Sequence, residues 1–389
     1  MSELLPADEQ ELAGIVESHF ASGTPLEIVG GGTKRCVGYP VQAAATLSLA
    51  RLTGVTLYEP SELVIRARAG TPVAELEETL AKNRQRLTFD PVGISALTGL
   101  AGAPTAGGLA ASNIAGPRRV MAGAVRDSLI GIRAVTGEGR AIKSGGRVMK
   151  DVTGLDLVKS VSGSWGTLAV MSEVTFKVLP VAETEATLAV AGLDDEMAID
   201  CLSAGLGSPF EVTGAAHLPG EATLLRIEGF EKSVDYRARE LARELARFGE
   251  ADILKAAAST ARWEKVRDCA ALGVGDGEAL WRVSTVPSHG PAVAAAARGA
   301  GDARLQYDWG GGLLWIAVPA EQAAAVGEAL RAAIAGQGHA TLIRAPEGAL
   351  DAIAPFEPMP APLARMAERL RRSFDPGRIL NPGRMYRAS

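Results

Sequence analysis

SVSGSWGTLAVMSEVTFKVLP, residues 160–180, sets Gly163 and Gly166 among serines and then runs into an apolar, β-branched stretch that stops at Pro180. Glycines before such a run permit turns that side chains forbid. Valine, threonine and phenylalanine suit a pleated, half-buried surface. The part GTLAVMSEVTFKVLP therefore predicts a strand pair, and Pro180 marks the end of an amino-terminal unit.

Upstream, SLIGIRAVTGEGRAI (128–142) gives two strand signals joined across Gly137 to Gly139, the turn chemistry of a hairpin. From Pro91 to Gly123 the chain is rich in Gly, Ala, Pro and Ser. Leu97, Leu100, Leu109 and Ile114 argue for buried packing there, since a disordered linker would be polar. Within it, PTAGGLAASNIAG (104–116) supplies small residues that let backbone approach a bulky ligand, or a helix pack closely on a sheet through Gly107, Gly108 and Ala111; both can hold together. Further upstream, a helix at about 7 to 21 leads to the strand LEIV (26–29) and then to GGGTKR (30–35). Three glycines directly after a strand allow backbone amides to converge on a phosphate, with Lys34 and Arg35 adding positive charge, although the same pattern also makes a plain turn. The strand LVIRARAG ends at Gly70, and Thr71 and Pro72 open a helix carrying Val73, Leu76 and Leu80.

Beyond Pro180 the pattern changes to strands at 222–229, 279–285 and 313–319, alternating with helices near 231–249 and 320–336. The first helix places Val234, Leu241, Leu245 and Phe248 on one apolar stripe. An antiparallel sheet with helices on one side follows, an α+β arrangement. The last forty residues carry a proline-rich stretch, an amphipathic helix and DPGRILNPGRMY (375–386), a segment expected to cross back onto the first unit.

At 389 residues the chain is long enough for two cores, and its 47% hydrophobic and 22% charged composition is globular. A net charge of -5 leaves no footprint for nucleic acid. The acidic start lacks the pattern of a secretory signal, and no apolar run reaches spanning length, so cytoplasmic residence without a membrane segment of its own is expected. Cys36, Cys201 and Cys269 are scattered, and His19, His217, His289 and His339 stand apart, so no metal site is expected. Redox chemistry here needs an organic cofactor or a partner.

Gly163, Ser164, Gly166, Thr167, Leu168 and Thr175 match a Gly-Ser-x-Gly-Thr-Leu segment, with a threonine seven residues after its leucine, that flavoproteins of the vanillyl-alcohol-oxidase type place beside the flavin. GGGTK, PTAGGLAAS and AGAVRDSLIG stand in the order of that family's other FAD-domain segments, and the chain resembles the family on all four. The resemblance implies an α+β chain: a PCMH-type FAD-binding domain of two α/β subdomains over residues 1–180, an antiparallel-sheet α+β cap domain over 181–346, and a segment 347–389 returning to the first domain. It implies that Gly30, Gly31, Gly32, Thr33 and Lys34 form the first pyrophosphate loop, with amides offered from Gly31 to Lys34. Pro104, Thr105, Gly107, Gly108 and Ser112 would line pyrophosphate and flavin, Gly163, Gly166 and Thr167 would lie beside the flavin, and Val170 would meet the adenine. Arg126 and Asp127 would support the pocket, and Asn381 would sit near the flavin. Many family members carry a first-loop histidine bonded covalently to the flavin; Thr33 stands there instead, which implies dissociable, non-covalent FAD. Cys36 reads as a small buried thiol rather than a thioether anchor.

WRVS (281–284), DWGGGLLW (308–315), GHATLIR (338–344) and FDPGRILNPGRMY (374–386) extend the resemblance over nearly the whole chain, to the E subunits of bacterial glycolate oxidases. For those subunits this implies a multi-subunit glycolate dehydrogenase with a second, related FAD subunit and an iron-sulfur subunit. Such a complex oxidises glycolate, a small 2-hydroxy acid, to glyoxylate, passes electrons toward quinone, and meets the cytoplasmic face of the membrane through its assembly. A self-sufficient FAD alcohol or sugar oxidoreductase, and a structural subunit with a decayed flavin site, stay open beside it. No catalytic base is assigned. Arg282 or Arg344 could grip a carboxylate or pair with neighbouring acids, and His339 could be a base or a structural residue at a strand start. DWGGG reads as a hairpin turn with Trp309 and Trp315 in the core.

Overall fold

The computed structural model describes residues 2–146, 156–346 and 348–387. Short strands β1 (Ser2–Leu4), β2 (Leu26–Val29) and β3 (Ala45–Ser48) pair in parallel in the order β1-β3-β2. The helix Glu9–Ser22 connects the first two. It starts where the Asp8 carboxylate accepts from Glu11 N at 2.8 Å and stops at Gly23, whose φ of 65° a side chain would resist. Its Leu12 and Val16 are fully buried with Leu26 and Leu47 in the first core.

A second sheet holds β4 (Val55–Glu59), β5 (Val64–Arg68), β6 (Gln85–Leu87), β7 (Leu129–Thr136), β8 (Ala141–Gly145) and β9 (Ala169–Pro180), in the path β4-β5-β9-β7-β8 with β6 beside β9. The hairpin β7–β8 turns where its glycines predict. The expected strand pair before Pro180 is instead the single strand β9. Its residues pair with β5 from Glu173 to Lys177 and with β7 from Ala169 to Phe176, so a central strand buried on both faces needs no turn.

The remaining strands are β10 (Thr184–Val190), β11 (Val212–Leu218), β12 (Ala222–Gly229), β13 (Ala251–Lys255), β14 (Glu278–Thr285), β15 (Arg304–Asp308), β16 (Leu313–Pro319) and β17 (Gly338–Arg344). They form one eight-stranded antiparallel sheet, β13-β10-β12-β11-β15-β16-β14-β17. Helices carrying Leu202, Leu241, Val293 and Leu330 cover one face. The helix Ala257–Arg267 departs from the one-sided expectation and packs Trp263 and Val266 on the other face. Gly214 makes room for it, since a side chain there would meet the Trp263 ring at 2.9 Å. Elsewhere on that second face, Leu280, Trp315 and Ile343 pack against Val37, Ile94, Ile114 and Trp165 of the amino-terminal part. The carboxy-terminal chain meets β2: Leu26 N donates to Ile379 O at 2.7 Å, and Asn381 N to Leu26 O at 3.0 Å.

Candidate functional site: a cleft at the carboxyl ends of a parallel sheet

Parallel strands leave a crevice beyond their carboxyl ends, and β2 and β3 do so here. The cleft, about 710 Å³ of space that opens to solvent, is lined by Gly30 to Arg35, Leu49, Thr105, Gly107, Gly108, Ser112, Trp165, Gly166, Val170, Asn381 and Arg384, among others. Both glycine-rich segments predicted to share a ligand therefore meet in one place.

Their glycines divide into distinct roles. A Cβ on Gly31 would stand 1.6 Å from the Ala103 carbonyl oxygen, and one on Gly30 would stand 2.5 Å from Thr105 Oγ1, so these residues let the loops touch each other. Gly32, at φ 76°, faces open space. Among the described residues the amides of Gly31 to Lys34 have no protein acceptor. The amides of the second segment are already engaged: Ala106 N donates to Thr71 O, Gly107 N to Ala69 O and Gly108 N to Thr105 Oγ1. Free donors belong to the first loop, and the second supplies wall.

The charges are equally uneven. Arg35 Nε donates to Glu27 Oε1 at 2.9 Å, so that guanidinium is neutralised by β2. Lys34 and Arg384 form no ion pair among the described residues, and Arg384 Nε is buried without a partner. Burial, and then the positive charge of Arg384, pull the Lys34 ammonium down to about 8. Two buried cations with no ion pair among the described residues, beside unengaged amides, suit a pyrophosphate, so the residues present fit the dinucleotide part of FAD.

Behind the cleft, Asn381 holds three segments together. Its Oδ1 accepts from Ile28 N at 2.8 Å, its Nδ2 donates to Trp165 O at 2.8 Å, and it is 1% exposed. Gly166, at φ 72°, passes so near that a Cβ would reach Asn381 Nδ2 at 2.8 Å.

Other predicted residues stand elsewhere. Pro104 accepts from Val73 N at the base of the second segment. Gly163 and Thr167 face a neighbouring groove, and the Thr167 hydroxyl is spent on Ser164 O at 2.7 Å. Arg126 and Asp127 lie outside the cleft wall, Arg126 exposed and Asp127 accepting from Ala124 N at 2.7 Å as a local cap. Arg384 and Trp165 carry more of the site than their sequence context announced. The cation directly after the Asn-Pro-Gly turn is the one signal that could have singled out Arg384.

On the sheet face toward the amino-terminal part, Arg282 lies opposite Trp315 and Thr341. Its guanidinium sits 5.0 Å from the Trp309 ring and 5.7 Å from Trp315, and Arg119 covers Trp309 at 4.1 Å. Arg344 pairs with Asp276 at 2.9 Å, whereas Arg282, 7% exposed, has no ion pair among the described residues. Burial, then Arg119, lowers Arg282 to about 10. His339 keeps part of its ring open to solvent, yet the protein packed around it and the charges of Arg282 and Arg119 pull it down to about 4. Burial pushes Asp308 up to about 7. Asp308 accepts from Trp309 N at 2.7 Å, holding the DWGGG turn with Trp309 and Trp315 in the core as expected. Among the described residues no group of three or more His, Cys, Asp or Glu could hold a metal, and no helix is long and apolar enough to cross a membrane.

A family model described as an FAD binding domain matches residues 3–145. Glycolate oxidase subunit GlcE of Escherichia coli (strain K12) is 33% identical over 377 residues, 97% of each chain. Glycolate oxidase subunit GlcD of Bacillus subtilis (strain 168) is 26% identical over 59% of this chain and 47% of its own. A solved alkyldihydroxyacetonephosphate synthase shares the fold, with a TM-score of 0.72 at 17% identity, over 98% of this chain and 75% of that one. The chain belongs to the glycolate oxidase subunit GlcE family of FAD-binding oxidoreductases, with the PCMH-type fold.

Proposed function

We propose that this chain is the FAD-binding redox subunit of a multi-subunit glycolate dehydrogenase, which oxidises glycolate to glyoxylate and passes electrons through an iron-sulfur partner to quinone. The observation that carries this reading is the likeness to subunit GlcE over 97% of both chains. The division into an FAD-binding domain (1–180), a cap domain (181–346) and a returning segment (347–389) belongs to the same proposal, as does peripheral attachment to the membrane through the complex.

FAD, when bound, supplies a two-electron acceptor for the alcohol carbon. Lys34, Arg384 and the amides of Gly31 to Lys34 hold its pyrophosphate, and Thr105, Gly107, Gly108, Ser112, Gly166, Val170 and Asn381 shape the wall. Thr33 offers no imidazole for a covalent bond, so the cofactor stays dissociable.

A second reading, catalysis by this chain alone on a 2-hydroxy acid, is favoured by Arg282, a buried guanidinium with no ion pair among the described residues. Arg282 and Arg119 would hold the carboxylate. His339, unprotonated above pH 4, would take the hydroxyl proton on a ring nitrogen.

Anaerobic addition of glycolate to the purified flavin-loaded chain separates the two. Bleaching that requires the partner subunits supports the relay. Bleaching of the isolated chain that Arg282→Leu abolishes supports autonomous catalysis. A chain that takes up no flavin contradicts both.

A further inference from the structure

Lys34 stands on the first glycine loop with its amine directed across the cleft: a Cβ on Gly108, in the second segment, would stand 3.9 Å from Lys34 Nζ. The side chain is half-buried and makes no hydrogen bond or ion pair among the described residues. Glu27, at the root of the loop, is spent on Arg35 at 2.9 Å and on the Thr46 hydroxyl at 3.3 Å. The charge that does bear on Lys34 is that of Arg384, whose guanidinium donates to the Lys34 carbonyl oxygen at 2.7 Å.

An amine hemmed in by protein and facing a second cation is the setting that makes lysine a nucleophile toward carbonyl carbons. Held at about 8 rather than 10.5, Lys34 carries on the order of 100-fold more free amine at neutral pH than an ordinary surface lysine. The unengaged amides of Gly31 to Lys34 and the charge of Arg384 draw anions to the same spot, and the cleft opens to solvent. An electrophile that carries its own negative charge therefore meets the amine and the anion site together. Glycolate has no carbonyl that an amine condenses with, whereas glyoxylate joins an aldehyde to a carboxylate.

We infer that Lys34 is a site of reversible covalent modification by a small aldehyde carboxylate before FAD is loaded, glyoxylate being the member of that class that the proposed complex itself produces. Nζ adds its lone pair to the aldehyde carbon, a proton moves from nitrogen to oxygen, and the carbinolamine loses water to leave an imine; no oxidant or reductant is consumed. The carboxylate lies on the loop amides that the FAD pyrophosphate also needs. Adduct and cofactor exclude each other, so the product of the reaction restrains flavin loading. The choice of glyoxylate rests on the reading of this chain as a subunit of a glycolate dehydrogenase; the reactivity of Lys34 does not.

The test treats the full chain, freed of flavin, with glyoxylate and cyanoborohydride, which fixes each imine as a carboxymethyl group, and reads the modified lysines by peptide mass spectrometry. Lys34 should react at least tenfold faster than the exposed Lys82 and Lys232, and saturating FAD should suppress its reaction at least tenfold. Acetaldehyde, which lacks the carboxylate, should favour Lys34 several-fold less. Arg384→Met should weaken the preference, and Lys34→Arg, which keeps the charge, should abolish the signal at that position while retaining FAD, with melting temperatures showing that both variants fold. Reaction of Lys34 at the rate of the other lysines overturns the inference, as does a preference that bound FAD leaves unchanged or that acetaldehyde matches. Flavin that glycolate fails to reduce with the partner subunits present overturns the glycolate reading alone, because the lysine chemistry is read without turnover.

Discussion

Arg384 Nη2 donates to the carbonyl oxygen of Lys34 at 2.7 Å, so a guanidinium near the end of the chain closes over the first glycine loop. Residues 350 positions apart in sequence thus share one electrostatic problem. Neither forms an ion pair among the described residues, burial disfavours both charges, and Arg384 further disfavours that of Lys34. A bound pyrophosphate relieves both, which makes the cleft selective for an anion before any contact to a ring system is considered.

That arrangement makes flavin affinity depend on pH. Lys34 titrates at about 8 in the free protein. Only its protonated form attracts phosphate, so affinity is full below pH 8 and falls as pH rises through it. Between pH 7 and 9 the dissociation constant of FAD should rise about tenfold, following the protonated fraction. Lys34→Met should lose about 10- to 100-fold in affinity at pH 7, the range of a hydrogen bond to a charged group, and should flatten the pH dependence. Fluorescence titration of FAD across that range measures both, and an unchanged slope in the variant would place the titrating group elsewhere.

Asn381 should matter to folding as much as to flavin. Asn381→Leu strands two buried backbone partners, Ile28 N and Trp165 O, and places a bulkier residue at φ 43°. A loss of about 2–4 kcal/mol in urea unfolding is expected, with weaker flavin retention. Asn381→Asp keeps the acceptor for Ile28 N but buries a carboxylate against the Trp165 carbonyl oxygen, so its loss should be at least as large at pH 7 and should ease as acid returns a proton to it.

Asp308 predicts the opposite sign. Its carboxyl is raised to about 7 in the folded protein from an ordinary value of 3.8. The unfolded chain gives up that proton near pH 4 and the folded chain only near pH 7, so stability drains away between the two and stays level above. The Asp308→Asn variant, which can still accept from Trp309 N, should be more stable than wild type at pH 7.5. Its advantage should shrink toward pH 5 by at most about 1.4 kcal/mol per pH unit. Thermal melts at both pH values decide it, and an advantage that grows on acidification would contradict the assignment.

Much of this molecule is legible in sequence where local chemistry and tertiary structure agree. The hairpin β7–β8 follows from Gly137 and Gly139, β12 and β16 follow from their apolar runs, and the two glycine segments do share a cleft. Strand β9 does not read as one strand in sequence, because burial on both faces erases the alternation that would set its length. Strands β1 and β3, at three and four residues, are too short to show a period. Lys34 and Arg35 look alike as neighbours, yet β2 carries Glu27 to Arg35 and leaves Lys34 alone. Only the folded chain shows that Arg384 joins Lys34, and that the Asp127 carboxylate caps a local turn outside the cleft.

The most direct test is to load the purified chain with FAD and then denature it in acid. Stoichiometric flavin that appears wholly in the supernatant, with binding cut by Lys34→Met, is what a dissociable FAD held by the first glycine loop requires. A chain that takes up no flavin, or flavin that stays with the precipitated protein, would contradict it.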